Sequence, residues 1–284
     1  MLYNIQRMAT RRNIPMHWRE RLLSVLTLEL AAVLLWLVAI LLTAWRLPLF
    51  LEIQRLLALE AAAPAGGEIF LAFVIALIIL IFFHKQTFFA TIVSILLSYM
   101  TFSGALLFMG TEAAFLLAVS ILLYQKLSHT FLSNNLLVAA GVLFGAIPIA
   151  LGFEPVMVVF ILAVFSVYDV IGVFLTKFIP TLAHRAVQYE LPLIWLAPRA
   201  HVSWHAIPSS ERVAAMMGAG DVFLPAIFIT SVTLAGGVPM GLLVLFGAVI
   251  GWTLNNFLSW IVRGGIPAMP LLAVGMIAAY YLAL

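Results

Sequence analysis

The sequence predicts an all-α membrane protein of nine transmembrane helices, with a cytoplasmic N-terminus and an outer C-terminus. Composition, the spacing of apolar runs and the placement of basic residues predict it. Of 284 residues, 65% are hydrophobic and only 9% charged, with a mean hydropathy of +1.19, where soluble domains carry roughly 25% charged residues. That balance excludes a water-soluble core. The chain has no cysteine, which excludes a disulfide framework, a thiolate metal site and a cysteine nucleophile. A net charge of +3 gives no argument for a nucleic-acid partner.

Residues 1–21 form a basic cytoplasmic flank carrying Arg7, Arg11, Arg12, Arg19 and Arg21, and residues 22–284 form a single membrane domain. The run from Leu22 to Ala44 is long enough to span and too long for a signal-peptide core of ~7–15 residues. Further spans are predicted over Ile69–Phe83, Phe88–Met109, Ala113–Tyr124, Leu136–Leu151, Val156–Phe178, Val213–Ala235, Val238–Ile261 and Ile266–Leu282. The span at Ala113–Tyr124 is the shortest, either shielded by neighbours or re-entrant. In this layout 12 of the 14 basic residues face the cytoplasm. Only Arg46 and Arg55 lie outside, beside Glu52, Glu60 and Glu68. The asymmetry obeys the positive-inside rule, and losing one span would invert the later loops and spoil it.

The longest connection, residues 179–212, joins the sixth and seventh spans and is broken by Pro180, Pro192, Pro198 and Pro208. Within it, Pro208-Ser209-Ser210-Glu211 reads as a helix entry with a serine cap and an early acid. His201 and His205 stand at a spacing that shares a metal only on a helix. With no glutamate after the first histidine and no cysteine, solvated loop histidines are the better reading, and no metal is expected. Gly141…Gly145 and Gly247…Gly251 are small-xxx-small patterns for close helix packing and carry no chemistry.

Chemistry concentrates on Asp169 and Asp221, the chain's two aspartates, both inside apolar stretches. A carboxyl near the bilayer midplane costs ~2.5 kcal/mol or more on insertion scales, so it marks function by default. Asp169 precedes Lys177, the inner end of the sixth span, by eight residues, and Asp221 follows Val213 by the same interval. At a helical rise of ~1.5 Å per residue both acids sit ~12 Å below the cytoplasmic edge. Two carboxyls at one level can share a proton and a water, which suits hydrolysis: the carboxylate takes a proton from the water while the acid polarises a carbonyl. Gly218 and Gly220, flanking Ala219, leave room for a substrate strand beside the second acid. Gly264 and Gly265 followed by Pro267 and Pro270 prevent a regular first turn in the last span and free backbone groups for an extended peptide.

Tyr168-Asp169, Gly218-Ala219-Gly220-Asp221 and Pro267-Ala268-Met269, in that order and in the sixth, seventh and ninth spans, resemble the YD, GxGD and PAL motifs of the presenilin and signal peptide peptidase family. The resemblance covers essentially the whole chain and looks most like the microbial presenilin homologues. It implies an intramembrane aspartyl protease with Asp169 and Asp221 as the catalytic pair and Tyr168, Gly218, Ala219, Gly220, Pro267, Ala268 and Met269 shaping the site. Met269 stands where the family has leucine, a nearly volume-conserving change. The expected substrates are transmembrane segments with an outer N-terminus, met in the cell membrane. No cofactor and no obligatory partner subunit are expected, homo-oligomerisation stays open, and self-cleavage in the 179–212 connection is implied by the family alone. Two other readings compete. A proton-coupled transporter would recruit Glu29, ~10 Å deep in the first span, and a proteolytically silent member would only hold membrane segments. A prepilin peptidase is disfavoured by Phe223, where that group carries lysine, and by the missing cysteines.

Overall fold

The computed structural model describes residues 18–60, 86–189, 191–261 and 266–284. Helices dominate: α1 (Trp18–Trp45), α2 (Leu47–Glu60), α3 (Gln86–Ala105), α4 (Thr111–Ser128), α5 (Phe131–Leu151), α6 (Pro155–Val170), α7 (Phe178–Gln188), α8 (Gly220–Ile261) and α9 (Met269–Ala283). Between α7 and α8 stand two strands, β1 (Ile194–Pro198) and β2 (Val213–Gly218). By length and hydropathy, four described stretches suffice to cross a membrane: Arg19–Trp45, Phe131–Leu151, Pro155–Leu175 and Gly220–Ser259. The predicted span Ile69–Phe83 and the residues Arg263, Gly264 and Gly265 lie outside the described residues.

Several predicted boundaries move. The segment 47–60, read as an outer connection, is helical, with Pro48 at its second position, where a missing N–H costs no helical bond. The short fourth span is a regular helix that extends at both ends of the predicted stretch, over Thr111–Ser128. The sixth, predicted to run to Phe178, stops short of Lys177, which adopts a left-handed φ of 54°, after a π-turn over Ile171–Leu175. The 179–212 connection holds α7 and β1, and the expected helix entry at Pro208–Glu211 is a turn closed by Arg212 N–H and Val213 N–H on the Ser209 carbonyl. The predicted division between Ala235 and Val238 falls at Gly237, whose φ of 78° and ψ of −178° break α8 into two helical segments. Pro239 follows it and completes the break.

Helix α8 is the hub, packing on α9, α1, α5 and α6. Trp36 of α1 is fully buried, meets Trp252 of α8 at 5.4 Å, and donates its Nε1–H to the Val222 carbonyl at 2.9 Å. Pro225 cannot supply the helical bond one turn on to the Asp221 carbonyl, so this stretch starts loosely and α1 braces it from the side. Ser231 ties α8 to the turn before α6 through the Phe153 carbonyl at 2.9 Å. The small-residue pattern on α8 does what it promised: a Cβ on Gly251 would strike the Leu271 carbonyl, and Gly247 lies against Gly275, backbone to backbone.

Candidate active site

The segment Val213–Ala235, predicted as one helix, is a strand, a joint and then a helix. Val213–Gly218 pairs antiparallel with Ile194–Pro198, with Trp195 opposite Met217 and Ala197 opposite Ala215. A six-residue apolar run reads alike in a buried strand and in a helix. Here Pro192 and Pro198 bracket a matching run, and backbone pairing decides. The Ala219 N–H extends the ladder to the Leu193 carbonyl at 2.8 Å, while the Ala219 carbonyl accepts from Val222 and Phe223 and starts α8. Asp221 is therefore the second residue of its helix, at the positive end of the dipole, and not eight residues inside one.

The two glycines have different tasks. A Cβ on Gly218 would lie 3.1 Å from Asp221 Oδ2, tight enough to press on the carboxyl where it folds back on the strand end and the Gly218 amide hydrogen-bonds it. Gly220 is exposed and would meet nothing within 4 Å.

Asp169, 8% exposed, stands near the C-terminal end of α6. Its Oδ2 accepts the Met269 N–H at 3.0 Å, with the Ala268 amide also turned toward it. The proline-broken start of α9 thus presents the free amides expected of it, and a buried carboxylate takes them. Pro267, Ala268 and Met269 are all buried. Tyr168, half-buried, packs edge to face on Phe165 at 6.3 Å.

Asp221 is half-buried and close enough to Asp169 for the two carboxyls to interact electrostatically. Ala268 bridges the pair: its amide serves Asp169, and it shares with Asp221 the wall of a cavity of about 30 Å³. Three elements that are distant in sequence, α6, the β2–α8 joint and the start of α9, therefore converge on one site. His201 and His205 do not join it; both are exposed on turns rather than on a helix.

Other residues near the site, Glu29 apart, escaped the sequence reading. Glu29, Asn255 and Asn256 line the same cavity as Asp221. On the far side of the sheet, the Asn135 side chain donates to the Leu196 carbonyl at 2.8 Å and accepts the Leu196 N–H at 3.0 Å, and Asn134 donates to the Ile194 carbonyl at 2.9 Å. The signal was present as two Asn-Asn pairs inside apolar helices, where an amide needs a partner.

A comparison with curated proteins finds no match. Among solved structures, a presenilin family intramembrane aspartate protease in a C222 crystal form is similar over 89% of this chain and 95% of its own, at 18% identity and a TM-score of 0.55. The likeness to a presenilin family intramembrane aspartate protease in a P2 crystal form covers 83% and 95%, at 19% identity and a TM-score of 0.47. At such identities the first of these speaks for the fold alone. The family model described as signal-peptide peptidase, presenilin aspartyl protease matches residues 30–284, a stretch that contains both aspartates, the glycine joint and the start of α9. On that match the chain belongs to the signal peptide peptidase and presenilin family of intramembrane aspartyl proteases.

Proposed function

We propose that Asp169 and Asp221 are the catalytic pair, hydrolysing peptide bonds within transmembrane segments by means of one shared water. The observation that carries this reading is the convergence of both carboxyls on the amides and cavity wall at Ala268. One carboxylate takes a proton from the water, the other, protonated, polarises the scissile carbonyl, and the roles reverse to protonate the leaving amine. The titration belongs to the pair, so neither acid alone is the base. Gly218 sets the position of Asp221, the Ala268 and Met269 amides set that of Asp169, and Tyr168 packs beside it.

The sheet supports a place for the substrate. Since Ala219 N–H bonds Leu193, antiparallel alternation turns the backbone of Met217 and Ala215 toward β1 and that of Met216 and Ala214 outward. The outer edge of β1 is occupied by Asn134 and Asn135, which leaves the β2 edge to receive an extended peptide leading to Asp221. The topology that goes with this reading has nine spans, a cytoplasmic N-terminus, an outer C-terminus and residence in the cell membrane. The 12 basic residues on one side support it and favour substrates with an outer N-terminus.

The test is cleavage of a model transmembrane peptide by the purified chain in proteoliposomes. Wild type yields two fragments, while Asp169→Ala and Asp221→Ala yield none and remain folded, since removing a buried acid relieves desolvation. Residual cleavage in both single variants defeats the shared-water mechanism.

A further inference from the structure

The cavity beside Asp221 is walled on its other sides by groups that the catalytic scheme does not use. Glu29 reaches it from α1, Asn255 and Asn256 from near the end of α8, and Met216 from β2. Asn255 is 2% exposed. Among the described residues, Glu29 Oε1, Asn255 Oδ1 and Asn256 Nδ2 have no hydrogen-bond partner. Two orphan acceptors and one orphan donor around a single small space are costly to bury and mark a site built for a polar guest.

The size of the space selects the guest. A water needs roughly 10–15 Å³ of such volume and two to four polar partners. About 30 Å³ therefore admits one or two waters and excludes most side chains. We propose that Glu29, Asn255 and Asn256 form a water-holding pocket that keeps the reactant water against Asp221 within the bilayer. Each turnover breaks one peptide C–N bond, adds the water's hydroxyl to the acyl carbon and delivers its remaining hydrogen to the amine. One water is consumed per cut, and a site below the headgroups refills from this store. The three residues position the water and exchange no proton with the substrate. The inference rests on the protease reading above, and the wild-type reaction is its control.

The experiment measures kcat and KM on a fluorogenic transmembrane peptide with the full chain in proteoliposomes. Asn255→Leu and Glu29→Leu are expected to lower kcat about tenfold or more while KM stays within about twofold, since a misplaced reactant slows the chemical step and leaves peptide binding alone. Glu29→Gln, which keeps the hydrogen bonds, is expected to return kcat to within about threefold of wild type. A raised KM at constant kcat means that the pocket receives the peptide and overturns the proposal. So does an unchanged kcat in both leucine variants. If those variants fail to fold, labelling decides. The chain has no cysteine, so Asn256→Cys gives a single thiol, whose S–H must exchange to S–D in heavy water in the folded protein, read by its infrared stretch. A thiol that stays unexchanged shows a dry space and ends the idea. Failure of wild type to cut would instead count against the protease reading.

Discussion

Replacing Asn135 by leucine removes two hydrogen bonds that no other described side chain supplies, at 2.8 and 3.0 Å to the backbone of Leu196. Leu196 is 3% exposed, so its N–H and carbonyl are stranded without water. Each stranded group costs about 1–3 kcal/mol, and the apolar contact of the new side chain offsets ~1 kcal/mol, leaving a loss of about 1–5 kcal/mol. Because β1 braces β2, and β2 ends three residues before Asp221, the same change loosens the strand that leads to the two aspartates. Equilibrium unfolding in detergent reads the first effect, and kcat/KM on a transmembrane peptide reads the second. Leu136→Ala, at a neighbouring position that is 42% exposed, is the control and should stay within ~0.5 kcal/mol. An Asn135→Leu protein as stable and as active as wild type refutes the bracing role of the asparagine.

Three other expectations follow from single contacts. Gly218→Ala places a methyl carbon 3.1 Å from Asp221 Oδ2 and displaces the carboxyl, so kcat should fall about tenfold or more with little change in unfolding; an unimpaired kcat contradicts the fold-back geometry. Gly237→Ala forces a side chain onto φ 78° and ψ −178° and should destabilise by about 1–3 kcal/mol, read by denaturant midpoint; a neutral result means the break is not held there. Pro267→Ala lets the first turn of α9 close on its own amides, so KM should rise more than the melting temperature falls; a purely thermal phenotype counts against a role in peptide reception.

The parts of the site legible in the sequence are those whose chemistry is expensive in lipid. Asp169 and Asp221 stand out because an acid in an apolar run demands a reason, and Pro267 with Pro270 announces a helix start with free amides. What stayed hidden is pairing at a distance. The Asp169–Met269 bond joins residues 100 positions apart, and nothing local to either predicts it. The strand Val213–Gly218 hides for a different reason: its apolar pattern suits either secondary structure, and its partner lies behind a proline-rich, seemingly irregular stretch. Placing Asp221 in mid-helix followed from that one ambiguity. Even so, the break at Gly237 was visible as a two-glycine gap ahead of Pro239, because both residue types act on the backbone directly.

The two halves of the site are held with unequal firmness. Helices α8 and α9 touch backbone to backbone at Gly247 and Gly275, an attachment with almost no slack. Helix α6 is another matter: only 22% of its apolar stretch is covered by protein, against 61% for α5. In a bilayer that remainder would face acyl chains, which a passing helix could displace. The aspartate on α6 thus rides on the more yielding wall, and a guest helix arriving sideways would trade places with lipid there while the opposite wall stays put.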